Sequence, residues 1–138
     1  MNKTIIFMIS TIIFLTGCFA SNSAHVIGSN QSQVEMRNYQ SRKFDTNDKK
    51  LVMRAVVSTM QDLGFIINQA DYNIGTVSGS SFTNMSTLTI TVRDINSKQL
   101  IVRAIAQHNR NLIQDHKAYS NFFESLSKSL FLEAHEIE

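Results

Sequence analysis

Only one cysteine, Cys18, occurs in the 138 residues, so no intrachain disulfide is possible and the fold must be held by packing. Proline is absent. Envelope-spanning stalks are often Pro-rich and extended, and no segment of that kind is present. Neither sign of charge dominates: the formal net charge is +2, and losing Lys3 with a leader leaves +1. Such a balance gives no reason to invoke nucleic acid as a partner. No apolar run reaches the ~20 residues that a membrane-spanning helix needs. The longest, Ile5 to Thr16, has the length of a signal-peptide core.

What closes that run is the most informative feature of the chain. Lys3 supplies the positive end, and Leu15-Thr16-Gly17-Cys18 supplies the other. A Leu-x-Gly-Cys ending resembles the lipobox of bacterial lipoproteins. In that pattern Cys18 is diacylated on its sulfur, becomes the new amino terminus and is acylated again. Two or three acyl chains anchor a protein stably where one does so only marginally. A plain signal peptide ending near Ala20 or Ala24 is the rival reading, and a buried structural cysteine is the third. The lipoprotein sorting pattern retains Asp after the cysteine in the inner membrane. Phe19 in that place implies export to the outer membrane, on its periplasmic side.

The expected organisation is a signal peptide over residues 1–17, an acylated anchor and flexible tether over 18–34, and a single α+β periplasmic domain over 35–138. The stretch 19–34 has no formal charge, is heavy in Ser, Asn and Gln, and shows no useful periodicity. Glu35 to Phe44 reads as a short edge strand guarded by Lys and Arg, or as an extended arm.

Beyond it the pattern sharpens. Val52, Val56, Met60 and Leu63 recur at helical spacing, with Ala55 and Thr59 widening the stripe. Asp45 or Thr46 is placed to cap this helix, Asp48 lies in its first turn, and Gly64 closes it, predicting a helix over 46–63. Two short strands follow, over 65–70 and 74–79, around a turn near Asp71–Asn73. Leu88, Ile90 and Val92 alternate with Thr87, Thr89, Thr91 and Arg93, the two-residue period of a strand with one buried face. A polar turn over 94–98 leads to a partner strand over 99–107. There Leu100, Val102, Ala104 and Ala106 are assigned to the core, because the other face carries Arg103 and Gln107. Residues 108–114 read as a loop touching the core. A last helix starts near Asp115 or His116, with Tyr119, Phe122, Phe123, Leu126, Leu130 and Phe131 as its stripe, and the tail from Glu133 should fray.

This order predicts an α+β two-layer sandwich: a four- or five-stranded, mainly antiparallel sheet covered on one face by two helices. The second sheet face, lined by Thr87, Thr89, Thr91 and Arg93, would stay wet or meet a partner.

Three phrases are familiar together: Tyr39-Gln40-Ser41-Arg42-Lys43-Phe44-Asp45-Thr46, then Met60-Gln61-Asp62-Leu63-Gly64-Phe65 with Asp71 and Gly75 beyond it, and finally Tyr119 through Phe131. They resemble a family of small, poorly characterised proteobacterial lipoproteins over most of the mature chain. The resemblance implies envelope location and a single domain, and it names no function. The element order is also similar to the helix-grip modules of outer-membrane assembly lipoproteins, a likeness of topology alone.

Chemical signatures are few. His25, His108, His116 and His135 are dispersed with no thiolate beside them. His108, Asp115 and His116 could approach around the 109–114 loop, but they fall short of a closed four-ligand set, so no metal is expected. There is no Gly-x-Ser-x-Gly, phosphate loop or His-Glu-x-x-His, and Ser78-Gly79-Ser80-Ser81 reads as a turn. No catalytic residue and no cofactor is assigned. Tyr119, Phe122, Phe123 and Phe131 read as core, or as a groove for a lipid or a partner helix. The expected function is therefore a non-enzymatic, lipid-anchored module that binds or scaffolds another envelope protein. It would dock through the threonine-lined sheet face or by strand addition near 36–44. The alternative is a carrier or sensor of a small apolar ligand, with a cavity near Val56, Met60, Tyr119 and Phe123.

Overall fold

The computed structural model describes residues 26–135, with side chains from Gln33 to Leu132. The expected leader, Cys18, Phe19 and His25 lie outside the described residues, as does the tail from residue 136.

The chain runs α1 (Val26–Tyr39), β1 (Ser41–Phe44), α2 (Lys49–Asp62), β2 (Ile66–Asp71), β3 (Thr76–Ser81), β4 (Ser86–Asn96), β5 (Gln99–His108), β6 (Asn111–Leu112) and α3 (His116–His135). The sheet order is β1-β5-β4-β3-β2, every described pairing antiparallel. This is the expected α+β sandwich with six strands rather than four or five. The extra member, β6, has two residues and joins the outer edge of β5 beyond the stretch paired with β1. Between the two, the Ala104 N–H donates to the Gln40 carbonyl at 2.8 Å and the Ile113 N–H to the Ala106 carbonyl at 2.9 Å. The outer edge of β5 is thus closed in three short pieces, a division that leaves only a weak pattern in the sequence.

α1 departs from expectation. Residues 26–34 were read as tether and 35–44 as a strand or arm, whereas the helix continues to Tyr39 and the strand begins only at Ser41. The physical reason is a minimal stripe. Of the α1 side chains described, Met36 is buried and Tyr39 half-buried, with polar residues around them. Two contacts in the last turn hold a helix whose sequence carries no 3.6-residue signal.

α2 follows its stripe closely. Its cap is Asp48, whose Oδ1 accepts from the Leu51 N–H at 2.9 Å, while Thr46 Oγ1 accepts from the Asp48 N–H at 3.2 Å. The cap is therefore neither of the two residues expected. Gly64 closes the helix at φ +81°, where an L side chain is strained. Val52, Met53, Ala55, Val56, Thr59 and Met60 are buried against the sheet.

The sheet's inner face is the expected one. Leu88, Ile90 and Val92 of β4 are buried beside Leu100, Val102 and Ala104 of β5 and Val77 of β3. α3 adds Tyr119, Phe122, Phe123 and Leu126, and Leu130 packs at the margin. Phe131 leaves the stripe and is 63% exposed. A fully buried side chain such as Phe123 contributes about 1.5–3 kcal/mol over its exposed state, so this single layer of contacts can carry a disulfide-free domain.

Candidate docking face

The second face of the sheet is the one turned away from α2 and α3, and its side chains are half-exposed or exposed. Its geometry follows from register. Thr76, Thr91, Arg103 and Ser41 stand opposite one another across β3, β4, β5 and β1. Arg93, Ile101 and Lys43 form the neighbouring row, and Ser78, Thr89 and Ile105 the row on the other side. Strand alternation puts all of these on the outer surface, since Val92, Val102 and Ala104 between them are buried. The contrast of faces is physical: β-branched and hydroxyl residues tolerate a half-wet pleated surface, while Leu88, Ile90, Val92, Leu100, Val102 and Ala104 on the inner side are apolar and buried.

Arg37, from the last turn of α1, joins this surface. Together with Ser41, Thr91, Arg93, Arg103 and the two isoleucines 101 and 105 it lines a shallow concavity of about 390 Å³. None of Arg37, Arg93 and Arg103 takes part in an ion pair among the described residues. Arg42 differs. It points to the helix side, with its guanidinium carbon 5.1 Å from the centroid of the Phe123 ring. Asp71, a carboxylate of the outer face, sits on β2 at the far edge, where its Oδ1 accepts from the Asn73 and Ile74 N–H groups. The β1–β5–β4 half of the face is accordingly basic.

The other expected sites are distributed as follows. Cys18 lies outside the described residues. The docking strand expected near 36–44 is present only as Ser41–Phe44. His108 Nδ1 lies 2.8 Å from the Asn84 carbonyl oxygen, and its Nε2 lies 3.1 Å from Asn109 Nδ2. His116 packs edge-on against Tyr39 with ring centroids 4.8 Å apart, and Asp115 Oδ1 accepts from the Lys117 N–H. Among the described residues, no three His, Cys, Asp or Glu side chains gather as metal ligands. Val56, Met60, Tyr119 and Phe123 are all buried in the core cluster, where Met60 Cε reaches the backbone at Gly79. No described helix is long and apolar enough to cross a membrane.

Sequence reasoning placed Thr87, Thr89, Thr91 and Arg93 on this face and Arg103 on the non-core side of its strand. It missed Arg37, because a residue expected on a strand stands on a helix. It also missed the convergence, because β1 and β5 are distant in sequence. Comparison with protein-family models and with curated proteins returns no match.

Proposed function

We propose that this protein is a non-enzymatic, lipid-anchored envelope module that binds or scaffolds another envelope protein through the open face of its sheet. The observation that carries this reading is the asymmetry of the sheet. One face is packed against α2 and α3, while the other presents half-exposed hydroxyl and isoleucine side chains and exposed arginines. Anchoring at Cys18 follows from the likeness to lipoboxes and to small proteobacterial lipoproteins, and Phe19 directs the anchor to the outer membrane. A tethered module meets its partner at high local concentration, so a modest interface suffices. The burial of Val56, Met60, Tyr119 and Phe123 together in one core cluster supports docking over carriage of a small apolar ligand.

Two experiments test the two halves. Replacing Cys18 with Ala should abolish incorporation of labelled palmitate and release the protein from outer-membrane fractions. Continued labelling of C18A would remove the anchor. For docking, a photoreactive benzoylphenylalanine placed at Thr89 should crosslink in living cells to a secreted protein identified by mass spectrometry. The same group at Lys50, exposed on α2, should not. Equal adducts from both positions, or none from Thr89, would refute docking through this face.

A further inference from the structure

Charge is the most specific property of the open face. Arg93 and Arg103 are diagonal neighbours, since Arg93 stands opposite Ile101 and Arg103 opposite Thr91. Arg37 closes in from α1 and Lys43 extends the same surface along β1. Like charges this close raise the free energy of the isolated domain unless an anion or solvent screens them. No carboxylate pairs with the three arginines among the described residues. Guanidinium groups favour ligands that offer two oxygens in a plane, the geometry of a carboxylate or phosphate.

A second pattern narrows the ligand. Along β5 the outer face reads Ile101, Arg103, Ile105, with side chains about 6.7 Å apart at strand spacing. Apolar, cationic and apolar positions therefore alternate at the repeat of an extended peptide, with Arg93 and Arg37 beside them. A bare point-charge ligand would leave the isoleucines without a partner. An extended segment whose sheet-facing residues, every second one along it, alternate between apolar and carboxylate side chains would meet both.

Resting on the docking reading above, we propose that the basic half of the open face binds an extended acidic segment of the partner protein. In this arrangement Arg37, Arg93 and Arg103 receive its carboxylates, and Ile101 and Ile105 receive the apolar side chains between them. Thr91 and Ser41 supply hydroxyl donors within the same concavity. Much of the recognition is then electrostatic, which speeds encounter and makes binding sensitive to salt.

The test uses the full chain in detergent and a fluorescein-labelled peptide in which four glutamates are interspersed with leucine and serine. Saturable binding is expected, weakening at least tenfold in an Arg93→Gln/Arg103→Gln double variant and about threefold in Arg37→Gln. Lys50→Gln should bind like the parent, and a peptide with lysine for glutamate should not bind. Glutamine keeps the bulk and polarity of the exposed strand positions, and far-ultraviolet circular dichroism checks that the fold is retained. Absence of saturable binding, or equal affinity in parent and double variant, overturns the proposal. Dihexanoyl phosphatidylglycerol binding as tightly as the peptide, with the same arginine dependence, also overturns it by assigning the face to lipid headgroups. The two proposals fail separately. Thr89 crosslinks that persist when the peptide does not bind remove the acidic chemistry and leave the docking face.

Discussion

Gly75→Ala is expected to destabilise the domain by about 4 kcal/mol or more, among the largest effects any single methyl group would have here. Gly75 closes the β2–β3 turn at φ +78°, a conformation that costs an L residue about 1–2 kcal/mol. The added Cβ would also run into the Val92 carbonyl oxygen and would lie 2.6 Å from Lys49 Cε. The lysine stem can swing away, although its ammonium now donates to the Asn73 carbonyl at 3.2 Å. The carbonyl cannot, because the Val92 N–H donates to the Gly75 carbonyl at 2.7 Å and the two backbones are locked together. Gly64 provides the control. Its φ is +81° and nothing lies within 4 Å of an added Cβ, so Gly64→Ala should cost only the conformational strain, about 1–2 kcal/mol. Urea denaturation of the two variants separates strain from collision. Equal losses would show that the approach of Gly75 to β4 carries no energy of its own.

Tyr119→Phe should cost about 2–4 kcal/mol, lowering the melting temperature by about 10–20 °C. The phenol oxygen accepts from Gln40 Nε2 at 3.3 Å and from the Ala106 N–H at 3.1 Å, and donates to the Ile113 carbonyl at 2.9 Å. One hydroxyl thereby ties the end of α1, the core strand β5, the segment after β6 and the first turns of α3. Gln40 is 2% exposed, so its amide has no ready access to water once the hydroxyl is gone. An unsatisfied buried donor costs more than the bond it made was worth. Adding Gln40→Met to Tyr119→Phe should recover part of the loss, because the orphaned amide is removed with it. A Tyr119→Phe protein melting within about 2 °C of the parent would show that solvent reaches these groups.

How much of this was legible in the sequence depended on whether a residue's neighbours were local. Leu88, Ile90 and Val92 announced their face by simple alternation, and Gly64 announced its helix end by following the last stripe residue. The inner face of β5 was harder, since Ile101 and Ile105 compete with Leu100 and Val102, but Arg103 decided it. Asp48 was misplaced by a turn, because Asp45, Thr46 and Asp48 can all accept an amide and only geometry ranks them. The hydroxyl of Tyr119 gave no sign of its three partners, as an aromatic in a helical stripe reads as bulk alone. Phe131 was assigned to the core on spacing, which cannot say where the surface that a helix packs against comes to an end. The open face was legible as polar and partly as basic. Its grouping of Arg37 with Arg93 and Arg103 was not, because it arises from a helix without periodicity and a pairing between remote strands.

That remote pairing has a kinetic consequence. β2, β3, β4 and β5 form successive hairpins, each closed by a short turn, and can zip up from local contacts. β1 joins only after a long loop has been closed, and the bond from Gln99 Nε2 to Asp45 Oδ1 beside it spans 54 residues. The four residues of β1 should therefore be late to arrive during folding and early to leave under stress. Until they dock, β5 is itself an edge, with the backbone of Leu100 to Arg103 open to pairing with another chain. Through Lys43 and Arg42, β1 brings charge to that border, so the same short strand completes the basic face and protects the nascent domain from adding a neighbour to its sheet.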